Sequence, residues 1–412
     1  EAFVEVIRTE YPPLAFISRF SVNDLEPAGD TEFCIRSSEH DAEVKAQIAP
    51  DASMCDDCRA ELFDPNDRRF RYPFINCTNC GPRYTIVTGV PYDRLLTTMA
   101  DFPMCPACRA EYEDPLSRRF HAQPNACPEC GPQLRLVDPS GRGLGNDPLA
   151  ETIRLLQEGK VVAIKGLGGY HLAVDASNED AVQTLRRRKG RDEKPFALMV
   201  RDLESAARLV RVDDKERRLL LGIERPIVLL EQRIGNLVAP SVAPDNRYLG
   251  IMLPYTPLHD LLLAESFAAL VMTSANFSDE PIAFEDEDAR ERLTGIADAF
   301  LQHNRRIHTR TDDSIARVMG GEALLLRRSR GYTPRSIFLP AVQPQVLALG
   351  AELKSTVCLT QDDRAYLSQH IGDLKNLETD QAFTGVIDHL KTILELQPEI
   401  TAHDLHPDYA WS

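Results

Sequence analysis

Between residues 150 and 330, apolar positions come in short runs at two periods, and the alternation of those periods predicts one mixed α/β domain. Runs of strand length fall at 161–164, 172–174, 196–200, 226–230, 249–253 and 270–272, with later candidates at 314–319 and 323–326. Segments 203–210, 215–221, 257–264 and 285–293 carry the wider helical spacing, and Asn178 suits the N-cap of a helix running to Lys189. A proline-rich stretch at 334–344 reads as a linker, after which strands recur at 346–350, 357–359 and 365–367. The longest apolar run, 267–272, has six residues, against the roughly 18 that a membrane-spanning helix needs.

Upstream of residue 138 a different organisation takes over. Eight of the ten cysteines stand as Cys55-x2-Cys58, Cys77-x2-Cys80, Cys105-x2-Cys108 and Cys127-x2-Cys130, with 18 residues between the first and second pairs and between the third and fourth. The period is 50 residues and extends beyond the cysteines. Arg59-Ala60-Glu61 repeats as Arg109-Ala110-Glu111, Arg68-Arg69-Phe70 as Arg118-Arg119-Phe120, and Gly81-Pro82 as Gly131-Pro132. Such self-similarity marks a duplicated structural unit. Two Cys-x2-Cys knuckles at this spacing complete a tetrahedral thiolate shell, so two structural zinc ions are expected, with no open coordination position for catalysis. Disulfides would need an oxidising compartment, and a redox pair would not need four knuckles. Spacing leaves open whether the knuckles pair sequentially or interleave. Cys34 and Cys358 read as small buried hydrophobes.

Composition is ordinary for a globular protein, 43% apolar and 27% charged, but the formal net charge is −16. That balance counts against wrapping duplex nucleic acid. Residues 51–135 hold 10 basic against 12 acidic side chains before thiolates are added, which weakens a nucleic-acid-finger reading as well. Against this background, residues 186–194 stand out with six positive charges in nine positions. A solvated basic face is the usual explanation of such a run. Lys189 and Arg191 flank a glycine, however, and Lys194-Pro195 leads into a strand, which points to a small polyanion such as a nucleoside triphosphate.

Two further clusters accompany it. Lys165-Gly166-Leu167-Gly168-Gly169-Tyr170-His171 is a glycine-rich strand exit where backbone N–H groups approach an anion, or a hairpin that merely needs glycine. Thr273-Ser274-Ala275-Asn276-Phe277-Ser278 follows an apolar strand, placing short hydroxyl and amide groups where phosphate oxygens bind in open α/β sheets, or forming a plain turn. Arg247, Asp313 and Ser314 are further binding candidates. The start at Glu1 and the end at Ser412 read as those of a piece of a longer protein.

Lys189-Gly190-Arg191 together with Ser274-Ala275-Asn276 resembles the Lys-x-Arg and Ser-x-Asn signature of YrdC-like domains, which make acyl-adenylates from ATP. The cysteine units, with Tyr72-Pro73-Phe74-Ile75-Asn76-Cys77 and Phe120-His121-Ala122-Gln123-Pro124, resemble the central part of the hydrogenase-maturation carbamoyltransferase family, HypF. So do the runs His303–Ile307, Arg310–Ser314 and Arg327–Tyr332. The turn Ala351-Glu352-Leu353-Lys354-Ser355-Thr356 looks like the first phosphate-binding region of actin-like ATPases. The resemblance implies a multidomain α/β protein in four pieces. Residues 1–45 would be the tail of an acylphosphatase-like domain, 46–137 the paired zinc fingers, 148–333 a YrdC-like domain, and 345–412 the start of an actin-like (ASKHA) carbamoyl-transfer domain.

The implied activity is cytoplasmic. Carbamate released from carbamoyl phosphate is adenylated with ATP and magnesium, and the carbamoyl group then passes to the C-terminal cysteine of HypE, the precursor of hydrogenase cyanide ligands. Lys189, Arg191, Ser274 and Asn276 would carry the adenylation. Lys165, Tyr170, His171, Lys194, Arg247, Asp313 and Ser314 would hold nucleotide or carbamate, with no membrane and no nucleic acid involved. Two alternatives share parts of the pattern: a transfer-RNA threonylcarbamoyl-adenylate synthase, and a zinc-dependent chaperone or adaptor similar to the cysteine-rich part of DnaJ. In a loop, His403 and His406 read as polar surface more readily than as a metal pair.

Overall fold

The computed structural model describes residues 47–264, 267–277, 280–409 and 411, with residues 2–11 and scattered positions up to 29. Cys34 and Ser278, named above, lie outside the described residues. The chain divides into two compact units, Glu1–Gln47 and Ile48–Ser412. The described part of the first contains one exposed helix, α1 (Ala2–Thr9).

The second unit opens with the duplicated module. Each first knuckle runs straight into a short helix, α2 (Asp56–Phe63) and α3 (Pro106–Glu113), with Cys55 and Cys105 as extended N-caps. The chain then reverses at Arg71 (φ 56) and His121 (φ 51), left-handed positions again 50 residues apart. The duplication is thus kept in backbone conformation as well as in sequence.

A ten-stranded mixed sheet follows, in the order β1-β8-β2-β3-β7-β4-β6-β5-β9-β10. Its strands are β1 (Leu134–Val137), β2 (Val162–Lys165), β3 (Tyr170–Asp175), β4 (Ala197–Met199), β5 (Ile227–Glu231), β6 (Tyr248–Met252), β7 (Leu270–Ser274), β8 (Ala299–His303), β9 (Ile315–Met319) and β10 (Glu322–Arg327). Helices α4 (Pro148–Gln157), α5 (Glu179–Lys189), α6 (Leu203–Leu209), α7 (Asp214–Leu221), α8 (Pro257–Leu263) and α9 (Asp286–Arg292) pack around it. Side-chain alternation splits β3 between two cores: Tyr170, Leu172 and Val174 join Val182 and Leu185 of α5 on one face, while Ala173 joins Met272, Leu261 and Leu262 on the other. Each fully buried leucine contributes about 2 kcal/mol of transfer free energy. The second core continues into the fingers through Cys58, Leu62, Phe74 and Cys77, so finger and sheet share one apolar interior.

One sequence expectation needs correction. The stretch expected to be a linker contains a strand, β11 (Ile337–Gln343), which pairs with β13 (Val357–Leu367) in a four-stranded sheet ordered β11-β13-β12-β14. Pro340 fits because β11 is an edge strand, where a missing N–H costs little. The other strands are β12 (Val346–Leu349) and β14 (Ile400–Ala402), with α10 (Leu377–Leu394) packed alongside through Phe383, Val386 and Leu390. The finger module ends in β1, which hydrogen-bonds to β8 at the edge of the large sheet and so ties the module to it. None of the helices among the described residues is long and apolar enough to cross a membrane.

Candidate functional site

The knuckles converge in sequential pairs. In the first cluster Cys55–Cys77, Cys77–Cys80 and Cys80–Cys58 sulfurs lie 3.6, 3.8 and 3.7 Å apart. In the second, Cys105–Cys127, Cys127–Cys130 and Cys130–Cys108 lie 3.8, 3.8 and 3.6 Å apart. Thiolates about 2.3 Å from a tetrahedral zinc stand roughly 3.8 Å from one another, whereas a disulfide requires about 2.05 Å. The donor sets therefore fit zinc, with all four positions filled by protein. The pairing that spacing left open is sequential.

The second centre forms where α5 ends. Gly190, left-handed at φ 63, closes the helix, so Lys189 is its last residue, at the boundary the sequence predicts. Its side chain is buried, and its ammonium donates to Ser274 O at 2.9 Å, to Asn276 Oδ1 at 2.8 Å and to Asn276 O. Ser274 Oγ donates to the same Asn276 Oδ1 at 2.9 Å, and Asn276 Nδ2 to Glu280 O at 2.6 Å. Lysine thus clamps the turn that follows β7. Burial, with Arg191 adding, pushes the Lys189 ammonium down to about 7.

Arg191 donates to Pro195 O at 2.6 Å and Lys194 O at 3.0 Å, and reaches Thr273 Oγ1 at 3.5 Å. Burial lowers it to about 10. The rest of the basic run is diverted. Arg186 caps the Ser241, Arg191 and Asp192 carbonyls, and Arg188 pairs with Asp298 at 3.0 Å. The expected block of six charges is therefore not one site: helical periodicity sends alternate residues to different faces.

The glycine-rich exit lies beside this turn. His171 is opposite Ser274 in the β3–β7 register, and Ala275 N donates to Tyr170 O at 2.9 Å. A Cβ at Gly168 would come within 2.0 Å of Thr311 Oγ1, so only glycine lets the exit close onto the Arg310–Ser314 segment. His171 Nε2 meets Asp313 Oδ2 at 2.9 Å, and Arg330 Nε donates to Asp313 Oδ1 at 2.7 Å. Burial would raise the Asp313 carboxyl, but Arg330 and His171 outweigh it and hold it well below the usual carboxylate range. Ser314 Oγ donates to Arg330 O at 2.9 Å.

Lys165 and Tyr170 are committed elsewhere, both to Asp286 Oδ1, at 2.5 and 2.6 Å. Arg247 is exposed, pairs with Glu231 at 2.8 Å and lines a different groove with Arg233 and Asn236. The structure therefore gathers Lys189, Arg191, Lys194, Ser274, Asn276, His171, Asp313 and Ser314 at one end of the sheet, and leaves Arg247 outside.

Three residues escaped the sequence reading. Asp286 is the partner of Lys165 and Tyr170, and Arg330 holds Asp313 while stacking over Tyr255 at 3.4 Å. Arg310 is half-buried, its Nη2 enclosed and lacking a partner among the described residues, and burial lowers it to about 10. Arg310 and Arg330 lie inside runs that carried the family resemblance, but neither stands at a spacing that signals chemistry by itself. The segment after β13 also reaches here: Gln369 Nε2 donates to Arg310 O at 3.1 Å, and His370 N to Arg328 O at 3.2 Å.

A closed thiolate pair of fingers packed on a mixed sheet with a Lys-x-Arg/Ser-x-Asn cluster defines a zinc-finger protein carrying a YrdC-like domain. Residues 154–329 match the Sua5/YciO/YrdC family described as "Telomere recombination", 54–87 and 104–137 match the HypF finger, and 341–412 the HypF Kae1-like domain. The chain is 51% identical over 426 residues to carbamoyltransferase HypF2 of Cupriavidus necator, covering 98% of this chain and 53% of that protein. It is 47% identical to carbamoyltransferase HypF of Synechocystis, covering 99% of this chain and 53% of that one. A crystal structure of full-length HypF in the phosphate- and nucleotide-bound form matches with a TM-score of 0.95 at 46% identity, over 99% of this chain and 54% of that one. The chain belongs to the HypF family. It spans about half the length of the curated relatives it matches.

Proposed function

We propose that this chain catalyses the adenylation of carbamate, ATP and carbamate giving carbamoyl-adenylate and pyrophosphate. A carbamate oxygen attacks the α-phosphorus in line, the bond from that phosphorus to the bridging oxygen breaks, and pyrophosphate leaves with the electron pair. Negative charge grows on the phosphoryl and leaving oxygens during this step. Arg191, Lys194 and the ammonium of Lys189 offset it, while Ser274 and the Asn276 turn fix the phosphate geometry. Magnesium accompanies the triphosphate as part of the substrate. His171, oriented by Asp313, forms part of the enclosure that keeps the unstable carbamate from water. Lys165 and Tyr170 act through Asp286 as support, and Arg247 takes no part.

The observation that carries the reading is the three-acceptor clamp of Lys189 on Ser274 and Asn276. It presents a hydroxyl, an amide and a tunable cation together at a strand end. In the longer protein, carbamate would come from carbamoyl phosphate and the carbamoyl group would go to the C-terminal cysteine of HypE, in the cytoplasm. A second reading has support in the sequence comparison. The chain is 29% identical over 161 residues to threonylcarbamoyl-AMP synthase of Bacillus subtilis, 37% of this chain and 46% of that one. Incubation with ATP, bicarbonate and either ammonia or threonine, followed by mass analysis of the nucleotide products, separates the two. Carbamoyl-AMP alone supports the proposal, and threonylcarbamoyl-AMP alone replaces it.

A further inference from the structure

The two fingers do not sit side by side as independent modules. Arg68 and Arg69, between the knuckles of the first finger, reach into the second. Arg68 Nη2 donates to Cys108 Sγ at 3.2 Å and to Glu111 Oε2 at 2.6 Å. Arg69 reaches both Glu111 oxygens, at 3.0 and 2.5 Å, and its Nε donates to Ala126 O at 2.8 Å, one residue before Cys127. The reverse contacts are the same, displaced by 50 residues. Arg118 donates to Cys58 Sγ at 3.8 Å and to Glu61 Oε1 at 2.5 Å; Arg119 pairs with Glu61 Oε2, and its Nε donates to Asn76 O at 3.2 Å, one residue before Cys77. Each finger thus supplies two guanidinium groups that hold both knuckles of the other.

The chemistry gives these contacts a direction. A zinc held by four thiolates carries a net charge of −2, and N–H donors aimed at the sulfurs stabilise the thiolate over the thiol. The donors at the second cluster are kept in place by the first. Arg71 N donates to Leu62 O, and Arg69 N to Asp67 Oδ1, so the loop carrying Arg68 and Arg69 is folded onto α2, whose first turn holds Cys55 and Cys58. His121 N donates to Tyr112 O in the corresponding position on α3. Each of α2 and α3 thus carries one cluster's cysteine and anchors the loop that supplies donors to the other cluster.

The clusters differ in one respect. The first lies in the shared finger–sheet core, and Arg83 adds hydrogen bonds to Cys77 O at 3.1 Å and Thr78 O at 2.8 Å. The second forms a small cluster of its own with Met104 and meets the shared core only at its edge, through Cys130.

We infer that the two zinc sites bind as one cooperative unit through this crossed arginine clamp, with Arg68 and Arg69 of the first finger acting as positioning residues for zinc at the second. Zinc at either site tightens binding at the other, and the Cys105–Cys130 site depends on the partner finger more than the Cys55–Cys80 site does.

The test follows zinc transfer from the zinc-loaded chain to 4-(2-pyridylazo)resorcinol, with native mass spectrometry for stoichiometry and thiol alkylation to show which cysteines are released. Arg68→Ala, in the first finger, should speed loss of zinc from the second by roughly 10–100-fold, as loss of an outer-shell partner does, with Cys105 and Cys130 alkylated first. Arg68→Lys should recover part of the difference. Arg109→Ala, which removes only a surface pair with Glu113 at 3.7 Å, serves as control. In the paired variant Cys105→Ser with Cys108→Ser, zinc at the first site should also transfer faster. Circular dichroism of each zinc-loaded variant at the assay temperature, before transfer begins, checks that it is folded. Loss of zinc from the Cys55 cluster before the Cys105 cluster in Arg68→Ala, or rates equal to those of Arg109→Ala, would overturn the inference.

Discussion

Replacing Lys189 with methionine keeps the aliphatic stem and removes the ammonium. Lys189 is 3% exposed, and its three acceptors lie in the turn that follows β7. Leaving buried acceptors unpaired costs about 1–3 kcal/mol each. Part of that is offset, because the ammonium is itself unfavourably buried, as its lowering to about 7 shows. A net destabilisation of about 2 kcal/mol follows, which lowers the melting midpoint of a domain this size by roughly 4–8 °C. The effect on chemistry is larger. A donor serving a developing phosphoryl charge is worth roughly 100–1,000-fold in rate, so carbamate-dependent pyrophosphate release should fall by about that factor while the protein stays folded at 25 °C. Lys189→Arg should restore charge without restoring the clamp, and so recover binding more than rate. A methionine variant that releases pyrophosphate within about threefold of the parent would refute the role given to Lys189.

Other outcomes follow from the same geometry. ATP should bind more weakly as pH rises above 7, because phosphate favours the charged ammonium and the free protein surrenders that proton near 7; calorimetry at pH 8 in buffers of differing ionisation enthalpy should show proton uptake that Lys189→Met abolishes. Asp313→Asn leaves buried Arg330 without its counter-charge, at a cost of about 3–5 kcal/mol. Because the Asp313 carboxyl is held low, the stability it contributes is present above the unfolded value of about 3.9 and is lost as pH falls below it; acid titration of the melting midpoint should show this loss in the parent and less of it in the variant. Leu185→Ala, at a fully buried position of α5, should cost about 2–5 kcal/mol by urea unfolding and loosen Lys189 four residues on.

Much of this was legible in the sequence because it depended on local chemistry. The thiolate clusters follow from knuckle spacing, and the α5 boundary from Asn178 and Gly190, whose capping roles need no distant partner. What remained hidden depended on tertiary pairing. β8 joins the sheet between β1 and β2, and its run, Ala299-Phe300-Leu301-Gln302-His303, is too polar at one end to announce a buried strand. Pro340 argued for a linker, since edge position cannot be read from composition. The charge run misled because counting cations along a helix ignores which face each one takes: Arg186 and Arg188 serve the scaffold, and Lys189 and Arg191 the turn. The crossed arginine clamp was visible only as a repeat until the fold placed Arg68 beside Cys108.

The central claim is that the Lys189–Ser274–Asn276 cluster adenylates carbamate. Exchange of labelled pyrophosphate into ATP by the folded, zinc-loaded chain tests it most directly, because exchange requires reversible formation of the adenylate and nothing downstream. The account predicts exchange that depends on bicarbonate with ammonia, or on carbamate from carbamoyl phosphate, and that collapses in Lys189→Met and Ser274→Ala. Absence of exchange with every carbamate source, or exchange unaffected by both substitutions, would contradict it.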